Sequence, residues 1–312
     1  MKAVRFHEFG GPDVLRYEDV EQPAPGAGEV RLRVAASGFN PVDAGIRGGY
    51  LQEPFPVALP HIPGIEVAGT VDALGEGVEH FKVGDEVIGF LSMVADGATA
   101  EYVVTPAEIL ASAPTSVPLA DAAALPMVGL TAYQALFDGA GLTAGQRVLI
   151  NGAGGAVGGY AVQLAKHAGA YVIATASKRS SERVRSAGAD EVIDHTTTKV
   201  TVAEPVDVLL NLAGIAPEEM VALVALVRSG GVVVNTVPMV PTPDDDARGV
   251  RAVGLFVRSD AQQLSHLVEL VDRGELRVTV AERVPLAELA ALHAKSDAGE
   301  VSGKAIVLAS AA

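Results

Sequence analysis

The sequence predicts an α/β protein: a β-rich region followed by a doubly wound parallel sheet covered by helices. Three observations point there. Up to about residue 115, short stretches alternate apolar and polar residues between Gly and Pro turns. From about residue 119, Ala-rich helical segments alternate with β-branched runs. One such run passes through a glycine turn straight into a helix. At 312 residues the chain is long enough for two domains. We place a β-rich domain over 1–118, a parallel-sheet domain over 119–273, and a return to the first domain over 274–312.

Glu29-Val30-Arg31-Leu32-Arg33-Val34 alternates with period two and reads as a half-buried strand. Further strands are expected at 66–71, at 86–90 after the Gly84-Asp85 turn and at 100–105, the spacing of a small antiparallel barrel or sandwich. In the second region six runs read as strands, at 147–151, 171–176, 191–195, 206–211, 231–236 and 251–256, with helices between them. A helix near 261–272, a strand-like segment at 276–284, a helix near 286–295 and a last strand at 304–308 follow. Three prolines and three successive aspartates make 237–246 a solvated loop.

Composition narrows the function classes. Lys and Arg total 23 against 38 Asp and Glu, a formal charge of −15 that repels phosphate backbones and anionic membranes, so neither nucleic acid nor membrane is an expected partner. Any phosphate must be held locally, by backbone N–H groups and a few placed cations. With no cysteine, disulfides, thiolate nucleophiles and Cys-ligated zinc are excluded. The first residues carry scattered charges rather than the apolar segment of a signal peptide, and the apolar run at 221–234 is interrupted by Arg228 and Gly230-Gly231, so a cytoplasmic protein is expected. There is no serine nucleophile elbow and no HExxH motif.

The segment VLINGAGGAVGGYAVQLAKHAGAYVIATA, 148–176, joins strand, glycine turn, helix and strand in about thirty residues. Gly152 permits the tight exit from the strand, Gly155 lets the backbone approach a pyrophosphate, and Gly158 lets the helix lie close to the sheet. The helix start at Ala156 and Val157 supplies N–H groups and the positive end of the helix dipole. A strand-to-helix turn without ligand is the alternative; the surrounding β-α-β context favours a dinucleotide. Val157, Ala161, Leu164, Ala165 and Ala168 share one helix face, as packing on a sheet requires. At the end of the second strand an NAD site places an acid, whereas Ser177, Lys178 and Arg179 suit the 2′-phosphate of NADP, so NADPH is the expected cofactor. A solvated basic turn is the competing reading. His195, at the end of the third strand, is a further candidate donor to that phosphate.

The motifs NPVDAGIRGGY at 40–50, IPGIEVAGTV at 62–71, EGVEHFKVGDEVIGF at 76–90, GLTAYQAL at 129–136, the glycine turn and GKAIVL at 303–308, in that order, resemble the medium-chain dehydrogenase/reductase superfamily. Within it the chain is most similar to the zinc-independent quinone oxidoreductase branch, and the resemblance runs over nearly its whole length. It implies a GroES-like catalytic domain built from both chain ends, a Rossmann domain inserted between them, and NADPH in the intervening cleft. It also implies a small-molecule quinone or α,β-unsaturated carbonyl as hydride acceptor, and a homodimer in which 251–256 pairs with its symmetry mate. Zinc-dependent relatives carry Cys where Asn40 stands and His where Ile65 stands, so no metal is expected. An acceptor that takes hydride directly from the nicotinamide is then the better substrate. Two alternatives stay open: an enoyl reductase acting on polyketide or acyl thioester intermediates, and a non-catalytic NADPH-binding sensor or structural protein.

By the same resemblance, Asn40 and Asp43 lie at the cleft, the amide binding cofactor or substrate and the carboxylate fixing the loop. Some relatives carry a tyrosine shortly after that aspartate as proton donor; Gly45 stands there, which leaves Tyr50 or solvent. Thr131 matches a cofactor-contacting position near the start of a helix, with local backbone capping as its alternative. Asn211, Leu212, Ala213, Gly214, Thr236 and Val237 fall at the carboxyl edge where open α/β sheets bind ligands. Phe256 and Val257 resemble the segment flanking the nicotinamide, against a plain core role. Glu66 reads as a structural member of the IPGIEVAG turn.

Overall fold

The computed structural model describes residues 1–309. Strands β1 (Lys2–Phe6) and β2 (Leu15–Asp19) form an antiparallel ribbon. They are followed by β3 (Glu29–Gly38), β4 (Glu66–Leu74), β5 (Glu86–Phe90), β6 (Tyr102–Pro106) and β7 (Leu110–Ser112). β3 pairs antiparallel with β4 and β6, β4 with β5, and β5 with β7. The period-two pattern of β3 is realised: Val30, Leu32 and Val34 are buried beside Val67, Val71, Val87 and Val103, while Arg33 is exposed. Helix α1 (Pro41–Arg47) leaves the end of β3 with Pro41 in its first turn, where a missing N–H costs nothing. A short helix, α2 (Leu119–Ala122), closes this part.

Helix α3 (Pro126–Tyr133) continues into a π-helical turn over Gln134–Gly139. Next come β8 (Arg147–Asn151), α4 (Ala156–His167), β9 (Tyr171–Ala176), α5 (Ser181–Ser186), β10 (Glu191–Asp194), β11 (Val206–Asn211), α6 (Pro217–Val224), β12 (Val227–Asn235) and β13 (Arg251–Gly254). All six strands are parallel, in the order β10-β9-β8-β11-β12-β13, so the winding reverses between β8 and β11. At such a switch point an open sheet binds its ligand beyond the strand ends. Two connections correct the sequence expectation, because no helix separates β10 from β11 or β12 from β13. The first connection is rich in threonine and ends at Pro205, and the second carries Pro238, Pro241 and Pro243, which cannot donate to a helical ladder.

Helix α7 (Ala261–Asp272) is capped by Asp260, whose side chain accepts from the Gln263 N–H at 2.9 Å. Then follow β14 (Glu282–Pro285), α8 (Leu289–Asp297) and β15 (Ala305–Leu308). β15 pairs antiparallel with β3 and parallel with β14, so the chain's last strands complete a seven-stranded sheet begun by its first third. The expected strand at 276–284 is realised only at its end. Residues 276–280 alternate in burial as a strand would, but join no strand ladder among the described residues. Two compact units result, Met1–Met127 with Ser259–Ala312 and Val128–Arg258, where the sequence places the boundaries at 118/119 and 273/274. Among the described residues no helix is long and apolar enough to cross a membrane.

In the first unit α8 buries His293 edge-on to Phe39, with ring centroids 5.0 Å apart, and neither ring nitrogen has a hydrogen-bond partner. Burial, then the nearby Arg47 guanidinium, push the imidazole down to about 3 from its ordinary 6.5. As pH falls below 6.5 the unfolded chain takes up a proton that the folded chain refuses until about 3, so stability present above 6.5 drains away with acid. At pH 5 this amounts to about 2 kcal/mol, at about 1.4 kcal/mol per pH unit. We expect His293→Leu, which removes the ring nitrogens at similar volume, to gain about that much relative to the parent on going from pH 7 to pH 5. Urea unfolding at the two pH values measures it, and an equal difference at both would sink the idea.

Candidate nucleotide-binding site

β8 runs into the glycine turn, where Gly152 sits at φ +86°, a left-handed conformation that glycine adopts without strain. Gly155 is the exposed N-cap of α4 and offers no side-chain cap, so the N–H groups of residues 156–158 have no acceptor within the helix. A Cβ on Gly158 would stand 2.4 Å from the Ala153 Cα, so the helix start presses directly on the turn. On Gly155 it would meet nothing nearer than 3.5 Å, which leaves that approach open. α4 buries Ala161, Leu164 and Ala165 of the expected face, together with Gly158, Tyr160 and Val162; Val157 and Ala168 are only half-buried.

Beyond β9, Ser177 is half-buried while Lys178 and Arg179 are exposed, and His195 is exposed beyond β10. The Asp194 carboxyl is held below its ordinary value by the Thr196 hydroxyl and N–H, and further by the nearby His195 and Lys178 side chains. Two residues that sequence reasoning misses shape the turn from α5 and its approach. Arg183 donates to the Gly154 carbonyl at 2.6 Å, and the Ser180 hydroxyl lies where a Cβ on Gly154 would fall.

At the carboxyl edge, Asn211 is fully buried and engaged by neighbouring side chains, while Leu212, Ala213, Thr236 and Val237 are half-buried and Gly214 is exposed. Beside β12 and β13 a cavity of about 510 Å³ is walled by Val237, Val240, Leu255 and Phe256, with Asn235, Thr242 and Asp244 as polar groups. Phe256 is 61% exposed, whereas Val257 is buried. Thr131 is buried inside α3, five residues past its start. The buried Gln134 side chain clamps the segment after Val257, donating to the Arg258 carbonyl at 2.9 Å and accepting from its N–H at 3.0 Å.

The first unit holds a second polar cluster. Glu66, at the start of β4, and Lys304, just before β15, form an ion pair with both side chains almost wholly excluded from water. Lys304 Nζ also donates to Asn40 Oδ1 at 2.7 Å and to the Phe39 carbonyl at 3.1 Å. Asn40 Nδ2 donates to Glu66 Oε2 at 2.8 Å, and the Met127 N–H donates to Glu66 Oε1 at 2.6 Å. Asp43 is buried alongside, accepting from the Asn40 N–H at 2.8 Å and the Gly64 N–H at 3.2 Å, so it ties α1 to the turn before β4. Burial pushes its carboxyl up to about 7 against those hydrogen bonds. Tyr50 is 84% exposed. Lys304, 238 residues from Glu66, carries no sequence signal beyond a charge at the head of an apolar strand.

Two family models match, an alcohol dehydrogenase GroES-like domain over residues 26–115 and a zinc-binding dehydrogenase over 187–307. The chloroplast envelope quinone oxidoreductase homolog of Arabidopsis thaliana is 35% identical over 98% of both chains. The chain belongs to the quinone oxidoreductase branch of the medium-chain dehydrogenase/reductase superfamily. Among solved structures, the quinone oxidoreductase of Coxiella burnetii superposes with a TM-score of 0.90 at 29% identity over 99% of each chain. A mycobacterial neighbour solved with NADPH gives 0.84 at 30% identity over 99% of each chain. As a member of this superfamily the protein is an oxidoreductase that uses a nicotinamide cofactor and a small-molecule substrate. The zinc of the second model's description does not fit the Asn40 region: the side chain at 65 is isoleucine, and the Asn40 oxygen already faces the Lys304 ammonium, which repels a dication.

Proposed function

We propose that the protein reduces quinones or α,β-unsaturated carbonyls with NADPH. The observation that carries this reading is the uncapped start of α4 at an open glycine turn, with Lys178 and Arg179 exposed at the neighbouring strand end. The N–H groups of 156–158 hold the pyrophosphate, and Ser177, Lys178, Arg179 and His195 hold the 2′-phosphate. Thr131, Ala213, Gly214, Thr236 and Val257 flank the rest of the dinucleotide. Bound NADPH supplies a hydride from its nicotinamide. The apolar wall of Val237, Leu255 and Phe256 orients the acceptor ring and excludes water beside it, while solvent supplies the proton to the acceptor oxygen. Anaerobic NADPH oxidation against ortho- and para-quinones and simple enones, with NADH alongside, tests this. Turnover with NADPH preferred is expected. A protein that binds NADPH yet reduces none of them overturns the reading in favour of an acyl-thioester reductase or a sensor.

We also propose a homodimer. Among the described residues β13 pairs with β12 alone, and an unpaired edge strand is a template for another strand. Light scattering at micromolar concentration is expected to give twice the chain mass of 31.9 kDa, and a single-chain mass would refute it.

A further inference from the structure

A single row of polar side chains crosses the carboxyl edge of the parallel sheet. Asn151 closes β8, Asn211 closes β11 and Asn235 closes β12, and the strand register sets Asn211 opposite both of the others. The Gly152 N–H donates to Thr175 Oγ at 2.9 Å, and that hydroxyl donates to Asn151 Oδ1 at 2.8 Å. Asn151 Nδ2 donates to Asn211 Oδ1 at 2.8 Å, and Asn211 Nδ2 to Asn235 Oδ1 at 2.9 Å. Asn235 Nδ2 ends the row on the Val240 carbonyl at 2.8 Å, the Thr242 hydroxyl at 2.9 Å and the Val237 carbonyl at 3.1 Å. All four side chains are buried, and each side-chain donor that links one member to the next points from the glycine turn towards the 237–242 loop, where the Val237 N–H donates back to Asn235 Oδ1 at 3.1 Å.

Such a row is costly unless complete, because each buried amide left without a partner carries its full desolvation penalty, whereas a satisfied chain of amides polarises link by link. Holding the local backbone explains Asn235 and in part Asn211, which also donates to the Ala213 carbonyl at 3.0 Å. It does not explain Asn151, whose side-chain amide is bonded to the side chains of Thr175 and Asn211. We propose that the row is a positioning device that couples the glycine turn to the 237–242 loop, with Asn211 as its central link and Asn235 as its far end. Order imposed at the nucleotide-binding turn is thereby passed across three neighbouring strands to the wall of the 510 Å³ cavity, and the coupling runs equally in reverse.

Two variants test it from opposite ends. Thr175→Val keeps the shape and removes the hydroxyl. We expect amide exchange at residues 237–242 to speed up about three- to tenfold in the protein without nucleotide, although Thr175 lies three strands away. Unchanged exchange there, with faster exchange only around Gly152, overturns the proposal. Asn235→Ala is expected to weaken 2′-phospho-ADP-ribose, which lacks the nicotinamide, about three- to tenfold in a calorimetric titration. An unchanged Kd with a lowered Tm makes Asn235 a local brace and likewise overturns it. This second arm rests on the NADPH reading. Parent protein that binds neither 2′-phospho-ADP-ribose nor NADPH sinks that reading, while the exchange measurement still judges the row.

Discussion

Replacing Lys178 and Arg179 together by alanine is expected to raise the Kd for NADPH about 50-fold and that for NADH less than about threefold, read by titrating nicotinamide fluorescence. Both side chains are exposed beyond β9, at the strand end that faces the adenosine ribose in a doubly wound sheet. Two charge-assisted hydrogen bonds at about 1 to 1.5 kcal/mol each come to about 2 to 3 kcal/mol, which is about 30- to 150-fold in affinity. The protein's charge of −15 offers no background attraction to a dianionic phosphate, so nothing elsewhere compensates for the loss. The Asp194 carboxylate beside Lys178 sharpens the point, since it opposes the 2′-phosphate once the cations are gone. NADH carries no charge at that position. Equal weakening of both cofactors would remove the 2′-phosphate from this turn, and no weakening of either would make it a solvated basic loop.

What is legible in the sequence is what lies close together in it. The glycine turn occupies one continuous segment of about thirty residues, and the alternation at 29–34 reflects a strand with one face on the core. The amide row is written there too, as three strands ending VLIN, VLLN and VVVN at 148–151, 208–211 and 232–235, yet each ending alone is an ordinary strand exit. Seeing the three as one row requires the strand order that sets β11 between β8 and β12. The pairing of Lys304 with Glu66 is invisible for the same reason, because β15 returns to β3 from the far end of the chain. Conversely, 276–280 carries the local pattern of a strand but joins no ladder among the described residues, since a ladder is a non-local object.

Lys304→Met is expected to cost about 3 to 5 kcal/mol of stability, and the double variant with Glu66→Gln to recover at least half of it. The single change leaves the Glu66 carboxylate buried with only the Asn40 amide and the Met127 N–H as partners, and an uncompensated charge in that position dominates the loss. In the double variant the charge is gone. The glutamine side chain that replaces Glu66 keeps an acceptor for the Met127 N–H, and a flip of the Asn40 amide turns its Oδ1, released by the departed ammonium, to accept from the new amide N–H₂. Denaturant unfolding of the four proteins closes the cycle, and a double variant no more stable than Lys304→Met would show that the ammonium stem, not the charge pair, holds this region together. A near-neutral Lys304→Met would show instead that the pair repays no more than its own desolvation. Because Asn40 is the third member, the cycle also bears on function: if the amide is placed by this pair, NADPH oxidation should fall with Lys304→Met and return with the double variant in step with stability.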